Sequence, residues 1–260
     1  MKDKLYRICD KNQIHLSDNQ LGQFETFYDY MIEMNQVMNL TTITEEDEII
    51  LKHFYDSISV IKYYNFASEK KVIDVGTGAG FPGIPLAILL PNVQFTLMDS
   101  LNKRITFLEN VVDKLKLENV KCIHSRAEEL AKDEDYREKY DICVSRAVAN
   151  LSVLLEYCIP FIKKGGNFIS YKSISSDEEL LSSKNAQNKL CCKLTNNISF
   201  ELPDTNIQRN FLIFEKFDNT AMKYPRNNGI PKKKPLWNNC KNLKILIPLW
   251  YEMIIRGIID

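Results

Sequence analysis

Histidine and tryptophan are scarce in this 260-residue chain, with three and two copies. His15, His53 and His124 stand alone instead of clustering, so no metal centre is expected. The seven cysteines are odd in number and hold no Cys-x-x-Cys spacing, which argues against a zinc site or a disulfide framework. Cys122, Cys143 and Cys158 lie in apolar runs, where a free thiol behaves as a small hydrophobe. The pattern predicts a reducing, cytoplasmic compartment. Residues 1–13 are mostly polar and charged, unlike a secretory leader. The longest apolar stretch, Ile84 to Leu90, falls far short of the ~20 residues a membrane span needs. Net charge is also missing: 34 basic side chains balance 34 acidic ones, so only a local concentration of charge can argue for a polyanionic partner. Internal repeats and low-complexity segments are absent.

What is present is ordinary globular composition, 45% hydrophobic and 26% charged, in a chain long enough to bury a core without staples. From Ser17 to Ile61 the pattern is helical. Leu21, Phe24, Phe27, Tyr28, Met31 and Met34 recur at helical spacing behind Ser17 as N-cap. Thr44 reads as a second cap before an acidic first turn, Glu45 to Glu48. Residues 1–65 are therefore expected to form a helical subdomain. At Lys71 the period changes. Strand-like runs Val72–Val75, Phe95–Met98, Val120–Ile123, Ile142–Val144 and Asn167–Tyr171 alternate with helix-like runs Ile84–Leu90, Lys103–Leu117, Leu151–Ile162 and Asp177–Leu190. Such alternation predicts an α/β fold, a mostly parallel sheet with helices on both faces. Cys192–Phe200 and Phe211–Lys216 have no helix between them and predict an antiparallel pair at one edge. The core is expected over 66–218. Residues 219–260 form a tail with Pro225, Gly229, Pro231 and Pro235 in its irregular front part.

Glycine is sparse, nine residues in all, yet four fall in Asp74-Val75-Gly76-Thr77-Gly78-Ala79-Gly80-Phe81-Pro82-Gly83. Glycines at a strand-to-helix turn let the backbone approach a ligand closely. Gly78, Gly80 and Gly83 fit the G-x-G-x-x-G of a dinucleotide site, whereas Gly76, Gly78 and Gly80 fit the denser repeat of methyltransferases. The glycines alone leave this open. The loop starts directly after Val75, and an acid, Asp74, precedes it. Asp99 closes the second strand, where a carboxylate can accept ribose hydroxyls. Asp99 suits either cofactor and disfavours a 2′-phosphate; its bland alternative is a helix-start residue.

Two further strands end in Ser125-Arg126-Ala127-Glu128-Glu129 and Ser145-Arg146-Ala147-Val148-Ala149, at the edge where open α/β sheets bind ligands. Backbone groups of Ala127 and Glu128 could hold an adenine edge. Arg146 leaves a nearly all-apolar strand and could meet a carboxylate or phosphate, or pair with a nearby acid. Arg126 and Lys172 are second-rank phosphate candidates. No acidic residue occurs between Asn219 and Tyr251, while Lys223, Arg226, Lys232, Lys233 and Lys234 do. That asymmetry favours contact with an RNA backbone over a merely solvated tail. His53, four residues before Ser57, reads as a buried anchor or substrate-facing group in preference to a general base.

The stretch from Val72 to Arg146 resembles the small-subunit ribosomal RNA methyltransferase G family, also called glucose-inhibited division protein B. The motifs that carry the likeness are Asp74–Pro85, Met98-Asp99-Ser100 with Lys103-Arg104, Ser125–Glu129 and Ser145–Ala149. Outside the core, Asn39-Leu40-Thr41, His53-x-x-Asp56-Ser57, Tyr224-Pro225-Arg226 and Lys233-Lys234-Pro235-Leu236 also match. The resemblance implies a Rossmann-like S-adenosylmethionine-dependent fold and methyl transfer to guanine N7 in 16S rRNA of the small ribosomal subunit. It implies cofactor contacts at Gly76, Phe81, Asp99, Ala127, Glu128 and Arg146, the last also positioning cofactor or substrate, and the glycine loop adds Gly78 and Gly80 as candidates. Met34 stands where the family usually has tryptophan. The pattern tends to stop near Leu236, so the apolar stretch Trp237–Asp260 is expected to be dispensable. Rival readings are an NAD-dependent oxidoreductase, a non-catalytic RNA-binding module, and a methyltransferase acting on another RNA, a protein or a small molecule.

Overall fold

A computed structural model describes residues 1–66, 70–146, 149–173 and 177–237. Among them, seven strands make one sheet: β1 (Lys71–Val75), β2 (Gln94–Asp99), β3 (Val120–His124), β4 (Tyr140–Arg146), β5 (Ile162–Lys172), β6 (Cys192–Glu201) and β7 (Gln208–Lys216). Their order is β3-β2-β1-β4-β5-β7-β6. The first five strands are parallel, and β7 runs antiparallel to both β5 and β6. The predicted α/β class and antiparallel edge pair are both present. Side chains alternate across each strand, so a strand covered on both sides splits its apolar residues between two layers. Val72, Leu97, Ile142 and Val144 enter one layer, while Ile73, Val75, Met98 and Cys143 enter the other.

The first layer is covered by N-terminal helices α1 (Lys2–Lys11), α2 (Asp18–Met38), α3 (Glu46–Ile49) and α4 (Asp56–Ile58), with a π-helical turn at Ile50–Tyr55 between the last two. Helices α5 (Gly83–Leu89) and α6 (Asn102–Leu115) lie with them. Phe24, Phe27 and Phe54 pack with Phe81 of the glycine loop in one aromatic cluster. The helical cap and the sheet therefore share a single apolar layer. The second layer holds α7 (Ala127–Leu130), α8 (Leu151–Cys158), α9 (Asp177–Ser182) and α10 (Lys184–Leu190), followed by the tail with α11 (Ile230–Lys233). No described helix is long and apolar enough to cross a membrane.

Ser17 caps α2 as expected, in a capping box with Gln20. Thr44 does not cap α3, whose N-cap is Glu45 without a side-chain bond. Its acidic turn instead fastens α1, through Lys4 Nζ to Glu46 (2.9 Å) and Asp47 (2.6 Å). Helix α1 precedes the start named at Ser17, lies within the stretch expected to be helical, and buries Leu5 and Cys9. The single helix expected over Asp177–Leu190 is two. The Ser182 and Ser183 hydroxyls bond back to the carbonyls of Glu179 and Leu180 and compete with the helical ladder. The front of the tail is irregular as expected apart from the four-residue α11, yet Tyr224 and Leu236 are buried in the second layer. Residues 238–260 lie outside the described residues, so the reading of the terminal apolar stretch has no structural counterpart beyond Trp237.

Ser17→Ala should cost about 1 kcal/mol, the usual loss for an N-cap hydroxyl, read as a lower urea midpoint. An unchanged midpoint would show that the capping box contributes nothing.

Candidate cofactor site

Strand order reverses between β1 and β4, so the connections leaving their carboxyl ends pass to opposite faces and leave a crevice. The loop after β1 enters it in left-handed backbone conformations at Gly76, Gly78 and Gly80 (φ +73°, +63° and +96°), which glycine adopts without penalty. The Gly76 and Thr77 amides donate to the Met98 carbonyl at 3.0 and 3.1 Å, tying the loop to β2. The four glycines do two jobs. A Cβ on Gly76 or Gly78 would project into open space. On Gly80 it would strike Ile84 and Leu108, and on Gly83 it would strike Leu97 and Asp74. The first pair keeps backbone accessible to a ligand, and the second lets α5 pack against the sheet.

A cleft of about 200 Å³ opens over this loop, lined by Gly76, Asp99, Ser125, Arg126, Ala127, Glu128 and Ser145, with Tyr157 of α8 and the tail residues Gly229 and Lys232. Asp99 is 3% exposed and is aimed by three donors. Gly78 N (3.1 Å) and Arg104 Nη1 (3.1 Å) reach Oδ2, and Leu101 N (2.9 Å) reaches Oδ1. Carboxylate oxygens accept more than one bond each, so capacity remains for hydroxyl donors. The residues thus fit a nucleoside-bearing cofactor: a Cβ-free backbone edge, an oriented acid, and backbone at Ala127 and Glu128 beside it.

Gly76, Asp99, Ala127, Glu128 and Arg126 are brought together in this cleft. Gly78 stands one step behind, holding Asp99. Gly80 and Phe81 belong to the packing under the loop. Arg146 faces the other way, because strand alternation sends Ser145 to the cleft side with Cys143 and sends Arg146 to the cap side with Ile142 and Val144. Its guanidinium donates to Asp56 Oδ2 (3.2 Å), Ser57 Oγ (3.2 Å) and the Lys52 carbonyl (3.2 Å), and lies 4.9 Å from the Phe81 ring centroid. Arg209 Nε meets the other Asp56 oxygen at 3.1 Å. Burial pushes the Asp56 carboxyl up, against the pull of both guanidiniums.

The π-helical turn sets the His53 ring flat on Phe81, centroids 4.8 Å apart. Arg146 Nη2 lies 3.2 Å from Nδ1, and Thr41 Oγ1 lies 2.9 Å from Nε2. Arginine can only donate, so Nδ1 is the acceptor and Nε2 carries the proton to Thr41. Burial, aided by the Arg146 charge, lowers the His53 pKa to about 3. The imidazole is neutral and engaged at both nitrogens, which agrees with an anchor and not with a general base.

The other cations occupy varied settings. Lys172 is paired with Glu179 at 2.6 Å. Arg226 is held by Glu156, Lys223 lies over the Tyr224 ring, and Lys233 and Lys234 are exposed. Sequence reasoning missed Ser145, Tyr157 and Gly229 in the cleft. Ser145 was recoverable from the two-residue period of β4, but the others come from elements whose docking no local pattern encodes.

Asp74 is wholly buried beneath the loop, with Oδ2 accepting from Gly83 N at 2.9 Å. Asp74 Oδ1 and Thr77 Oγ1 are buried without a partner of good geometry. Burial raises the Asp74 pKa to about 7, against the pull of Thr77 and the Gly83 amide.

Sheet order, glycine loop and oriented acid together define a Rossmann-like fold of the S-adenosylmethionine-dependent methyltransferase class. A SAM-dependent methyltransferase from Aquifex aeolicus shares that fold, with a TM-score of 0.50 and 17% identity over 68% of this chain and 96% of that one. Residues 20–208 match the family described as rRNA small subunit methyltransferase G. The protein of Lachnoclostridium phytofermentans called ribosomal RNA small subunit methyltransferase G is 51% identical, over 85% of this chain and 91% of its own length. The Bacillus subtilis protein of the same name is 48% identical over 86% and 93%. The chain belongs to the rRNA small subunit methyltransferase G family.

Two predictions follow from the buried polar groups. Asp74 is protonated more readily folded than unfolded, so its contribution to stability is full below its ordinary pKa of 3.8 and is lost as pH rises through about 7. His53 acts oppositely: its contribution is present above its ordinary 6.5 and is lost as pH falls toward about 3. Asp74→Asn keeps an acceptor for Gly83 and removes the titration. Its melting temperature relative to wild type should therefore improve more at about pH 8 than at about pH 5; equal offsets would contradict this. Arg146→Ala should lower stability by about 1.5–3 kcal/mol, the range for hydrogen bonds to charged groups. Urea unfolding measures the loss, and a wild-type midpoint would remove Arg146 from the frame that holds the cap.

Proposed function

We propose that this chain transfers a methyl group from S-adenosylmethionine to N7 of a guanine in 16S rRNA of the small ribosomal subunit. The observation that carries the reading is the cleft at the β1/β4 switch point, where Cβ-free backbone at Gly76 and the triply oriented Asp99 line one wall system. Family membership supplies the substrate class. S-adenosylmethionine supplies, when bound, a methyl group on a positively charged sulfur. Asp99 would accept its ribose hydroxyls, and backbone at Ala127 and Glu128 would border its adenine. Gly78 and Arg104 act through Asp99 by holding the carboxylate in place.

Guanine N7 carries a lone pair and no proton, so no side chain has to remove one. The task of the protein is alignment and exclusion of water. A neutral, doubly engaged His53 fits chemistry that requires no base. Arg146, Asp56 and Arg209 act as positioning residues that lock the cap and Phe81 to the end of the sheet. The purine becomes cationic as it is methylated, and acids or aromatic faces near it would lower the barrier. Arg126, Lys223, Lys233 and Lys234 remain candidates for RNA phosphates. Lys172 and Arg226 are held by carboxylates and would have to exchange partners to serve. The compartment of ribosomes is the expected location.

Incubation with labelled S-adenosylmethionine and small subunits, or naked 16S rRNA, should place label on a guanine at N7. Asp99→Ala should weaken cofactor binding in calorimetry by about 1–3 kcal/mol. Binding of NADH in place of S-adenosylmethionine would overturn the proposal.

A further inference from the structure

The tail after β7 is expected from composition to serve the nucleic acid, yet its described part, up to residue 237, is clasped at several points. Lys216 Nζ and Thr220 N both donate to Glu138 Oε1, at 2.6 and 2.9 Å. The Arg137 guanidinium donates to the carbonyls of Thr220 (2.7 Å) and Tyr224 (2.8 Å). Lys132 reaches Asn227, and Asn228 reaches Glu129. The strongest clasp is Glu156 on α8, 0% exposed, whose carboxylate accepts from Arg226 N (2.9 Å), Nε (2.8 Å) and Nη2 (2.6 Å). A buried carboxylate is tolerated only when paired and hydrogen-bonded. Here the tail supplies all three of those donors, one from its backbone.

This clasp leads to the cleft. Three residues beyond Arg226, Gly229 N donates to Glu128 Oε1 at 3.2 Å, and Gly229 and Lys232 line the same cleft as Asp99 and Ala127. Gly229 stands at φ +78° as the N-cap of α11, a left-handed turn that suits glycine and swings the next residues over the opening. Lys232 is exposed and has no salt-bridge partner among the described residues. The tail is thus fastened to α8 at Arg226, and the turn three residues later makes a side of the cleft.

We propose that residues 218–237 form a built wall of the cofactor pocket, and that Glu156 is a positioning residue that sets cofactor affinity through Arg226. The proposal rests on the reading of the cleft as the S-adenosylmethionine site. By linkage, a wall that contacts the cofactor must itself be stabilised when the cofactor binds.

The test uses the full chain, with S-adenosylmethionine binding by calorimetry and hydrogen exchange of residues 225–234 with and without saturating cofactor. Cofactor should slow exchange in that segment of the wild-type protein. Arg226→Ala should raise the cofactor Kd and KM by roughly 5- to 150-fold, the usual span of coupling between sites, while kcat at saturating cofactor changes less. Arg226→Lys should recover part of the loss, and Lys232→Ala should weaken binding with melting temperature unchanged. A wild type that binds cofactor with no change in tail exchange would overturn the wall, whether or not Arg226→Ala folds. An Arg226→Ala protein with lowered melting temperature but wild-type Kd and KM would overturn the role of Glu156. No cofactor binding by the wild type would overturn the cofactor reading, and this inference with it.

Discussion

The meeting of β1 and β4 at the centre of the sheet is the constraint on which the rest depends. Right-handed crossovers carry the chain to one face after β1 and to the other after β4. The two carboxyl ends therefore diverge, and a crevice is left that neither connection can fill. The candidate cofactor residues are arranged around that gap. The glycine loop crosses it, Asp99 reaches it from β2, Ala127 and Glu128 border it from β3, and Ser145 enters it from β4. The strands themselves can be almost wholly apolar because their chemistry is confined to their last residues.

The same gap separates two kinds of polar work. On the cleft side, donors hold an acid that keeps spare accepting capacity, as at Asp99. On the cap side, donors and acceptors are consumed among themselves: Thr41, His53, Arg146, Asp56 and Arg209 form one partly buried chain of contacts. Such networks are costly when partly satisfied and rigid when complete. This one joins N-terminal helices to strand ends that are distant in sequence. The frame so made holds Phe81, and thereby the glycine loop, from the side opposite the cleft. The tail supplies the matching frame on the second face through Glu156 and Arg226. A charge at a strand mouth is thus not automatically a ligand contact; parity along the strand decides which side it serves.

Much of this was legible in the linear chain because it is local. Hydrophobic period distinguishes Val72–Val75 from the helices before it, Ser17 with Gln20 marks a helix start, and clustered glycines mark a turn that must come close to a ligand. Asp99 is readable because a strand end is a local feature with a fixed place in a parallel sheet. Thr44 misled because an acidic turn can serve a distant lysine as well as its own helix dipole.

The sequence by itself therefore determined the α/β class, the antiparallel edge, the glycine turn and the acid beside it, since each follows from backbone periodicity or from residues adjacent in the chain. Only the tertiary structure decided that Arg146 and His53 belong to a partly buried frame under the cap and that the basic tail borders the cleft. Those roles depend on which surfaces meet across tens to hundreds of residues. A lysine or arginine carries the same charge whether it faces solvent, a phosphate or a buried carboxylate. Packing alone supplies the partner.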